Sequence, residues 1–164
     1  LELQGPIAKP GPVVATFDAS EAQQLALADG TELFIPAGAM PVSGQVTLRI
    51  TPIATLPHQH HARLYKYGYA FIATDAAGNL ITDNFNQHLI IRFRYTDREL
   101  RELDLWEERL KPAYYSTTTQ SWTVPAGYVV DTKNNIVTLQ IDHFTDYALI
   151  SSDLHQVMLP ILIR

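Results

Sequence analysis

Three consecutive residues near the C-terminal end of the sequence combine a base with a nucleophile. His143 and Thr145 flank Phe144 in the stretch IDHFTDYALI, residues 141–150. The Thr145 hydroxyl can attack the carbonyl carbon of Phe144 and convert the amide between them into an ester, which water then hydrolyses. His143 can act as a base towards the hydroxyl or as an acid towards the departing amine. The triplet therefore predicts that the Phe144–Thr145 bond cleaves itself.

The barrier to this reaction is high, because a planar amide is a poor electrophile and a threonine hydroxyl is a weak nucleophile. A general base contributes roughly 10²- to 10⁴-fold, and a twist of about 12° in the peptide bond stores about 1 kcal/mol. In the alternative interpretation, His143 hydrogen-bonds a neighbour and the triplet belongs to a last β-strand. The apolar residues of that strand would be Ile141, Phe144, Tyr147 and Leu149.

A second group of candidate residues is the histidine cluster in HQHH, which follows Pro57. Imidazole is the commonest side-chain metal ligand, so His58, His60 and His61 could supply two ligands to zinc or nickel. The sequence lacks an H-E-x-x-H pattern, and the alternative is a solvated loop between strands.

Two further binding chemistries remain open. Oxygen ligands for calcium recur in TDAAGN and TDNFNQ, at Asp75, Asn79, Asp83 and Asn86, but their spacing is not that of a calcium-binding loop and the same residues serve hairpin turns. Aromatic residues in YKYGYAF and AYYS, with Trp122, could form a platform for sugars. In a β protein, aromatic residues with a period of two more often pack in the core.

Composition limits the classes of protein. The chain has 164 residues, 12 Lys and Arg against 17 Asp and Glu, and no cysteine. The resulting net charge of -5 argues against nucleic acid as a partner, and no apolar run is long enough to predict a membrane helix. The lack of cysteine excludes disulfides, thiolate metal sites and a cysteine nucleophile. We expect no cofactor.

The elements that position these residues are short β-strands separated by turns. The strand-like segments are VVATF, QLALA, ELFIP, QVTLRIT, YGYAFIATD, LIIRFRY, RLKPAYYS, SWTVP, YVVD, IVTLQID and YALIS. Asp29-Gly30 predicts a hairpin between the second and third segments. In QVTLRIT, residues 45–51, Val46, Leu48 and Ile50 alternate with polar residues, as in a half-buried strand.

These patterns predict an all-β fold, an antiparallel β-sandwich of about seven to nine strands, in preference to a barrel. One short helix is expected near 97–106, because Asp97 can act as the N-cap and Leu100, Leu103 and Trp106 follow at helical spacing. We divide the chain into a linker or cloning residues at 1–12, the sandwich domain at 13–151 and a C-terminal extension at 152–164 that could add a strand. Because the sequence starts at Leu1, we expect a piece of a longer protein, whose signal peptide would lie outside it.

Two stretches of the sequence carry a family resemblance. DGTELFIPAGAM followed by GQVTLRIT resembles the opening of the ZU-five domain, the β-sandwich of zonula occludens proteins, netrin receptors and ankyrins. Ile35, Pro36, Gly38 and Ala39 occupy its Ile-Pro-x-Gly-Ala signature. The later run from LIIRFRYTDRELRELD to NNIVTLQIDHFTDYALI is similar to the rest of the domain as it occurs in large bacterial surface proteins. The similarity covers about residues 13–151.

The resemblance carries implications for the triplet. Some members of the family cut themselves at His-Phe-Ser, between Phe and Ser, whereas many others are purely structural or binding domains. By resemblance, His143 is the activating histidine, Phe144 the acyl donor and Thr145 the nucleophile. Threonine in place of serine adds a methyl group to a tight site.

From these observations we expect a structural or interaction module of a larger bacterial protein that is secreted or at the cell surface. Its partners would be neighbouring domains of the same polypeptide or another surface protein, without nucleic acid and without membrane insertion. Self-cleavage at Phe144–Thr145 would leave the fragments associated. The alternative is a ligand-binding module that recognises carbohydrate or metal.

Overall fold

The computed structural model describes residues 10–54 and 62–152. In this part of the chain, two antiparallel β-sheets contain eleven strands and pack around a shared apolar core, which confirms the predicted all-β sandwich. The strands are β1 (Val13–Asp18), β2 (Gln23–Ala26), β3 (Glu32–Ile35), β4 (Gln45–Ile53), β5 (Ala62–Thr74), β6 (Leu89–Arg94), β7 (Leu110–Ser116), β8 (Ser121–Thr123), β9 (Val129–Asp131), β10 (Ile136–Ile141) and β11 (Asp146–Ser152). Eleven exceeds the expected seven to nine, and four of these strands have only three or four residues.

Strand order distributes these elements over two layers. The first sheet has six strands in the order β1-β4-β5-β11-β7-β8, and the second has five in the order β2-β3-β6-β10-β9. Side chains that alternate along each strand explain the layers: in β4, Val46, Leu48 and Ile50 are fully buried and the residues between them are not. The Asp29-Gly30 pair forms the turn between β2 and β3, where Gly30 adopts φ 88°.

Within residues 10–54 and 62–152, helical structure is confined to the connection between β6 and β7. A six-residue helix, α1, spans Asp97–Glu102, and a 3₁₀ turn follows at Glu107–Arg109. The N-cap is Thr96, whose hydroxyl accepts a hydrogen bond from the Glu99 N–H, so the prediction that Asp97 caps the helix was one residue off. In the part of the chain that the structure describes, no helix is long and apolar enough to cross a membrane.

The longest strand, β5, is interrupted by a bulge. Ala148 of β11 pairs with Gly68 and Ile150 pairs with Leu64, so the register shifts between them. Lys66 lies inside this shift with φ 56°, a left-handed conformation that is uncommon for a residue with a side chain. Tyr65 and Tyr67 on either side of Lys66 are both buried, so the strand keeps its contact with the core through the bulge.

Candidate functional site

The His143-Phe144-Thr145 triplet lies in the turn that carries the chain from the second sheet to the first. β10 ends at Ile141 in the five-stranded sheet, and β11 begins at Asp146 in the six-stranded sheet. The triplet therefore precedes the last described strand, although the alternative interpretation placed it within that strand. The alternative's packing is nevertheless present, because Ile141, Tyr147 and Leu149 are core residues and Phe144 packs against the core.

The imidazole of His143 is paired with the carboxylate of the preceding residue. His143 Nδ1 lies 2.7 Å from Asp142 Oδ1, and the two side chains are 34% and 55% exposed. The ring also makes an edge contact with Tyr114, with ring centroids 5.7 Å apart. When Nδ1 carries the proton and donates a hydrogen bond to Asp142 Oδ1, the other ring nitrogen, Nε2, has a free lone pair and can act as a base.

The hydroxyl of Thr145 is held by the neighbouring strand. Thr145 Oγ1 donates to the Tyr115 carbonyl of β7 at 2.9 Å. Among the described residues, no hydrogen bond joins this hydroxyl to the His143 imidazole. The structure thus brings the three predicted residues together in one turn, but in the arrangement shown the base and the nucleophile have different partners.

Hydrogen bonds from other elements fix the backbone of this turn. The Phe85 N–H donates to the Asp142 carbonyl at 2.7 Å, and the Tyr147 hydroxyl donates to the His143 carbonyl at 2.5 Å. The Phe71 N–H donates to the Thr145 carbonyl at 3.3 Å. The Phe144 carbonyl, which is the one that Thr145 would attack, accepts no hydrogen bond from the described residues. The Phe144 carbonyl is therefore preceded and followed along the chain by carbonyls that hydrogen bonds hold in place, those of His143 and Thr145.

The ring of Phe144 is locked between two other aromatic rings. It stacks on Phe71 of β5 with centroids 6.1 Å apart, and it meets the edge of Phe85 at 4.6 Å. Such pairs favour a fixed relative orientation. The acyl side of the Phe144–Thr145 bond is therefore held by packing, whereas the amine side is held by the pairing of β11.

Burial determines the electrostatics at the start of β11. Burial raises the pKa of the Tyr147 phenol far above its usual range, and the negative charge of Asp142 raises it further. The phenol therefore remains protonated and able to donate to the His143 carbonyl. Burial also raises the pKa of the Asp146 carboxyl, directly after Thr145.

This arrangement resembles the way in which catalytic bases are positioned. A base that a third group orients, close to a hydroxyl nucleophile, is the general pattern of nucleophilic catalysis by serine and threonine. Here Asp142 orients His143, and Thr145 follows two residues later. For the reaction to start, the Thr145 hydroxyl must leave the Tyr115 carbonyl and rotate towards the imidazole, which requires a change of side-chain rotamer.

The three histidines that were predicted to bind zinc or nickel, His58, His60 and His61, lie outside the described residues. Within residues 10–54 and 62–152, no group of three or more His, Cys, Asp or Glu side chains is arranged to hold a metal ion.

Two of the residues considered for calcium, Asp75 and Asn86, hydrogen-bond to backbone groups. Asp75 accepts hydrogen bonds from the backbone N–H groups of Ala77 and Asn79, and these bonds lower the pKa of its carboxyl. Asn86 donates to the carbonyls of Gly38 and Met40. The Asp75 contacts agree with the alternative, in which Asp serves turn formation, whereas Asn86 joins its loop to the loop at residues 38–40.

Most aromatic residues considered as a sugar platform belong to the core. Tyr65, Tyr67, Tyr69, Phe71 and Trp122 are all at least nine-tenths buried. Tyr114, in the AYYS stretch, is only partly buried and faces His143. Of the residues in that prediction, Tyr114 is therefore the one placed to reach a ligand at the triplet.

Sequence reasoning missed the groups that hold the triplet. Asp142 stands beside His143 in the sequence, so the D-H pair was a signal that could have been used. Tyr115, Phe71 and Phe85 come from distant elements, and nothing in the sequence connects them with the turn.

Neither the protein-family models nor the curated proteins compared with this chain give a match.

Proposed function

We propose that this chain is a structural and interaction module of a larger extracellular bacterial protein, in which Thr145 cuts the chain after Phe144 and the two fragments stay together. The role as a module and the location follow the family resemblance in the sequence. The cleavage follows the chemistry of the Asp142-His143 pair and its distance of two residues from Thr145. Neighbouring domains or another surface protein are its proposed partners.

The observation that carries the proposal is the position of β11 directly after the triplet. This strand lies inside the six-stranded sheet and pairs with β5 on one side and β7 on the other. Tyr147, Leu149 and Ile150 of the same strand are almost completely buried. A cut at Phe144–Thr145 leaves both ladders and this core packing in place, so the new C-terminal fragment remains bound.

The proposed reaction has two steps. In the first, His143 Nε2 takes the proton of the Thr145 hydroxyl, Oγ1 attacks the Phe144 carbonyl carbon, and the C–N bond breaks as the imidazolium returns the proton to the amine. In the second, water hydrolyses the ester and leaves a carboxylate on Phe144 and the original hydroxyl on Thr145. Asp142 stabilises the imidazolium that forms between the two proton transfers.

Intact mass of the purified and denatured protein tests the cleavage. We expect fragments 1–144 and 145–164 from the parent chain, and an uncut chain from Thr145→Ala. Hydroxylamine, which captures esters, should increase cutting in the parent alone. Under native conditions the two fragments should elute together with the size of the whole chain.

A matched pair of histidine variants separates chemistry from folding. His143 and His88 line the same cleft, but only His143 precedes the bond. His143→Gln should lower the cleavage rate by roughly 10²- to 10⁴-fold, the contribution of a general base, whereas His88→Gln should leave it unchanged. A parent chain of a single uncut mass, before and after hydroxylamine, would refute self-cleavage and leave the module as a purely structural domain.

A further inference from the structure

A cleft opens between the ends of the two sheets beside the triplet, with a volume of about 470 Å³. We name it the end cleft. Its rim carries five polar side chains, namely Asn84, His88, Gln140, Asp142 and His143. The volume lies within the roughly 300–1,000 Å³ typical of small-molecule sites.

The charges of the end cleft restrict the class of ligand. Its lining contains one carboxylate, from Asp142, and neither lysine nor arginine, so it offers a strongly anionic ligand no fixed positive charge. Two histidines and an aspartate line the cleft, but among the described residues no three His, Cys, Asp or Glu side chains are arranged so that they could hold a metal ion. A neutral ligand fits this lining best.

The hydrogen-bonding groups indicate a ligand with many hydroxyls. Asn84 and Gln140 each present a carboxamide, and the imidazole of His88 also presents a donor and an acceptor. Side chains that both donate and accept suit hydroxyl groups, which do the same. Asn84, His88 and Gln140 are exposed, so they can rotate to meet such a ligand.

The walls of the end cleft supply an apolar surface. Tyr114 of β7 and Pro125 present partly buried rings. Leu139, Ile141 and Tyr147 lie beneath the cleft and are 3% exposed or less, so the apolar surface that a ligand can reach is that of Tyr114 and Pro125. A sugar ring has polar edges and an apolar C–H face, and it therefore matches an apolar wall surrounded by a polar rim.

We propose that the end cleft is a binding site for a neutral saccharide, with Tyr114 and Pro125 against the sugar ring and Asn84, Gln140 and Asp142 on its hydroxyls. This inference does not rest on cleavage at Phe144–Thr145, since binding requires only the folded cleft. A saccharide of one or two units is the size that the volume admits.

Titration of the ¹⁵N-labelled 164-residue protein with cellobiose, lactose and N,N′-diacetylchitobiose tests the site by NMR. We expect at least one of the three to shift amide resonances in residues 84–88, 114 and 139–143, with a Kd of about 1 mM or lower. The titration is repeated with Thr145→Ala, whose chain should stay uncut. This variant should bind equally well, because Thr145 does not line the cleft.

Substitutions at two exposed residues of the lining, and two control substitutions nearby, test whether the sugar binds in the end cleft. Asn84→Ala and Asp142→Asn should each weaken binding by at least about tenfold, the effect of losing one well-placed hydrogen bond. Gln87→Ala and Asp83→Asn, which alter residues of the 82–88 loop outside the lining, should not. The inference is overturned if none of the three sugars shifts these resonances, or if the shifts persist equally in Asn84→Ala and Asp142→Asn.

Discussion

At the scale of single residues, we expect the methyl group of Thr145 to slow the proposed cleavage. Thr145 is partly buried and its hydroxyl is bound to the Tyr115 carbonyl, so rotation towards His143 moves the methyl group within a packed turn. Thr145→Ser removes the methyl group and widens the choice of rotamers. We expect a faster appearance of fragment 1–144, measured by intact mass at intervals after purification. Equal rates in the two proteins would show that side-chain rotation does not limit the reaction.

Gly68 of β5 lies close to side chains of both neighbouring strands, β4 and β11. A Cβ atom at this position would lie 3.0 Å from Ile53 Cγ1 and 3.2 Å from Ala148 Cβ. Gly68→Ala should therefore lower the free energy of unfolding by about 1–3 kcal/mol through overpacking, as measured by urea denaturation. Gly11→Ala is the control, because nothing lies within 4 Å of the added atom there. Similar stability of the two variants would mean that the neighbouring strands move apart at little cost.

At the scale of elements, the bulge in β5 attaches α1 to the sheet. Lys66 Nζ lies 2.6 Å from Glu99 Oε2, and the Lys66 side chain is only 10% exposed. The same carboxylate accepts the Tyr65 hydroxyl, whose oxygen accepts the N–H of Thr96 at the helix N-cap. The left-handed conformation of Lys66 is thus compensated by a connected set of polar contacts.

We expect Lys66→Met to lower the free energy of unfolding by about 1–3 kcal/mol, because it leaves the largely buried Glu99 carboxylate without its cation. Arg98→Met, on the helix that carries Glu99, is the matched control. It breaks an ion pair with Glu102 whose side chains are 58% and 47% exposed, and it should cost less than about 1 kcal/mol. Urea denaturation measures both variants, and equal losses would show that the Lys66 contact has no special role.

The strands could be predicted from sequence because their alternation is local. Val46, Leu48 and Ile50 show their common face without any knowledge of a partner strand. Strand order and the bulge at Lys66 could not be predicted, since both depend on pairings with distant strands. The same division applies to the site. His143 and Thr145 were visible as chemical types, whereas the Tyr115 carbonyl that holds Thr145 becomes adjacent only through the pairing of β7 with β11.

At the scale of the whole molecule, β1 and β11 run in opposite directions at different levels of the six-stranded sheet. β1, β4, β5 and β11 are antiparallel in succession. Through β4, Val13 is level with Phe71 of β5, whereas Ser152 pairs with Ala62 at the start of β5. The start of β1 therefore lies close to the level at which β11 begins, far from the level at which β11 ends.

Buried tyrosines make the folded state sensitive to alkali. Burial is the main cause that raises the pKa of Tyr65, Tyr69, Tyr95 and Tyr147 well above the usual value near 10. Below that value, both folded and unfolded chains keep these protons. Above it, the unfolded chain ionises while the folded chain does not, so the unfolded state binds fewer protons and stability falls as pH rises.

Tyr147→Phe isolates one of these groups. For each tyrosine that ionises only in the unfolded chain, the free energy of unfolding falls by about 1.4 kcal/mol per pH unit above about pH 10. The variant lacks one such group, although it also loses the hydrogen bond to the His143 carbonyl at every pH. We therefore expect the parent to be more stable at about pH 8, and the difference to shrink towards about pH 11, in urea denaturation at each pH. A difference that stays constant would mean that Tyr147 ionises equally in both states, and would contradict the effect of burial on its pKa.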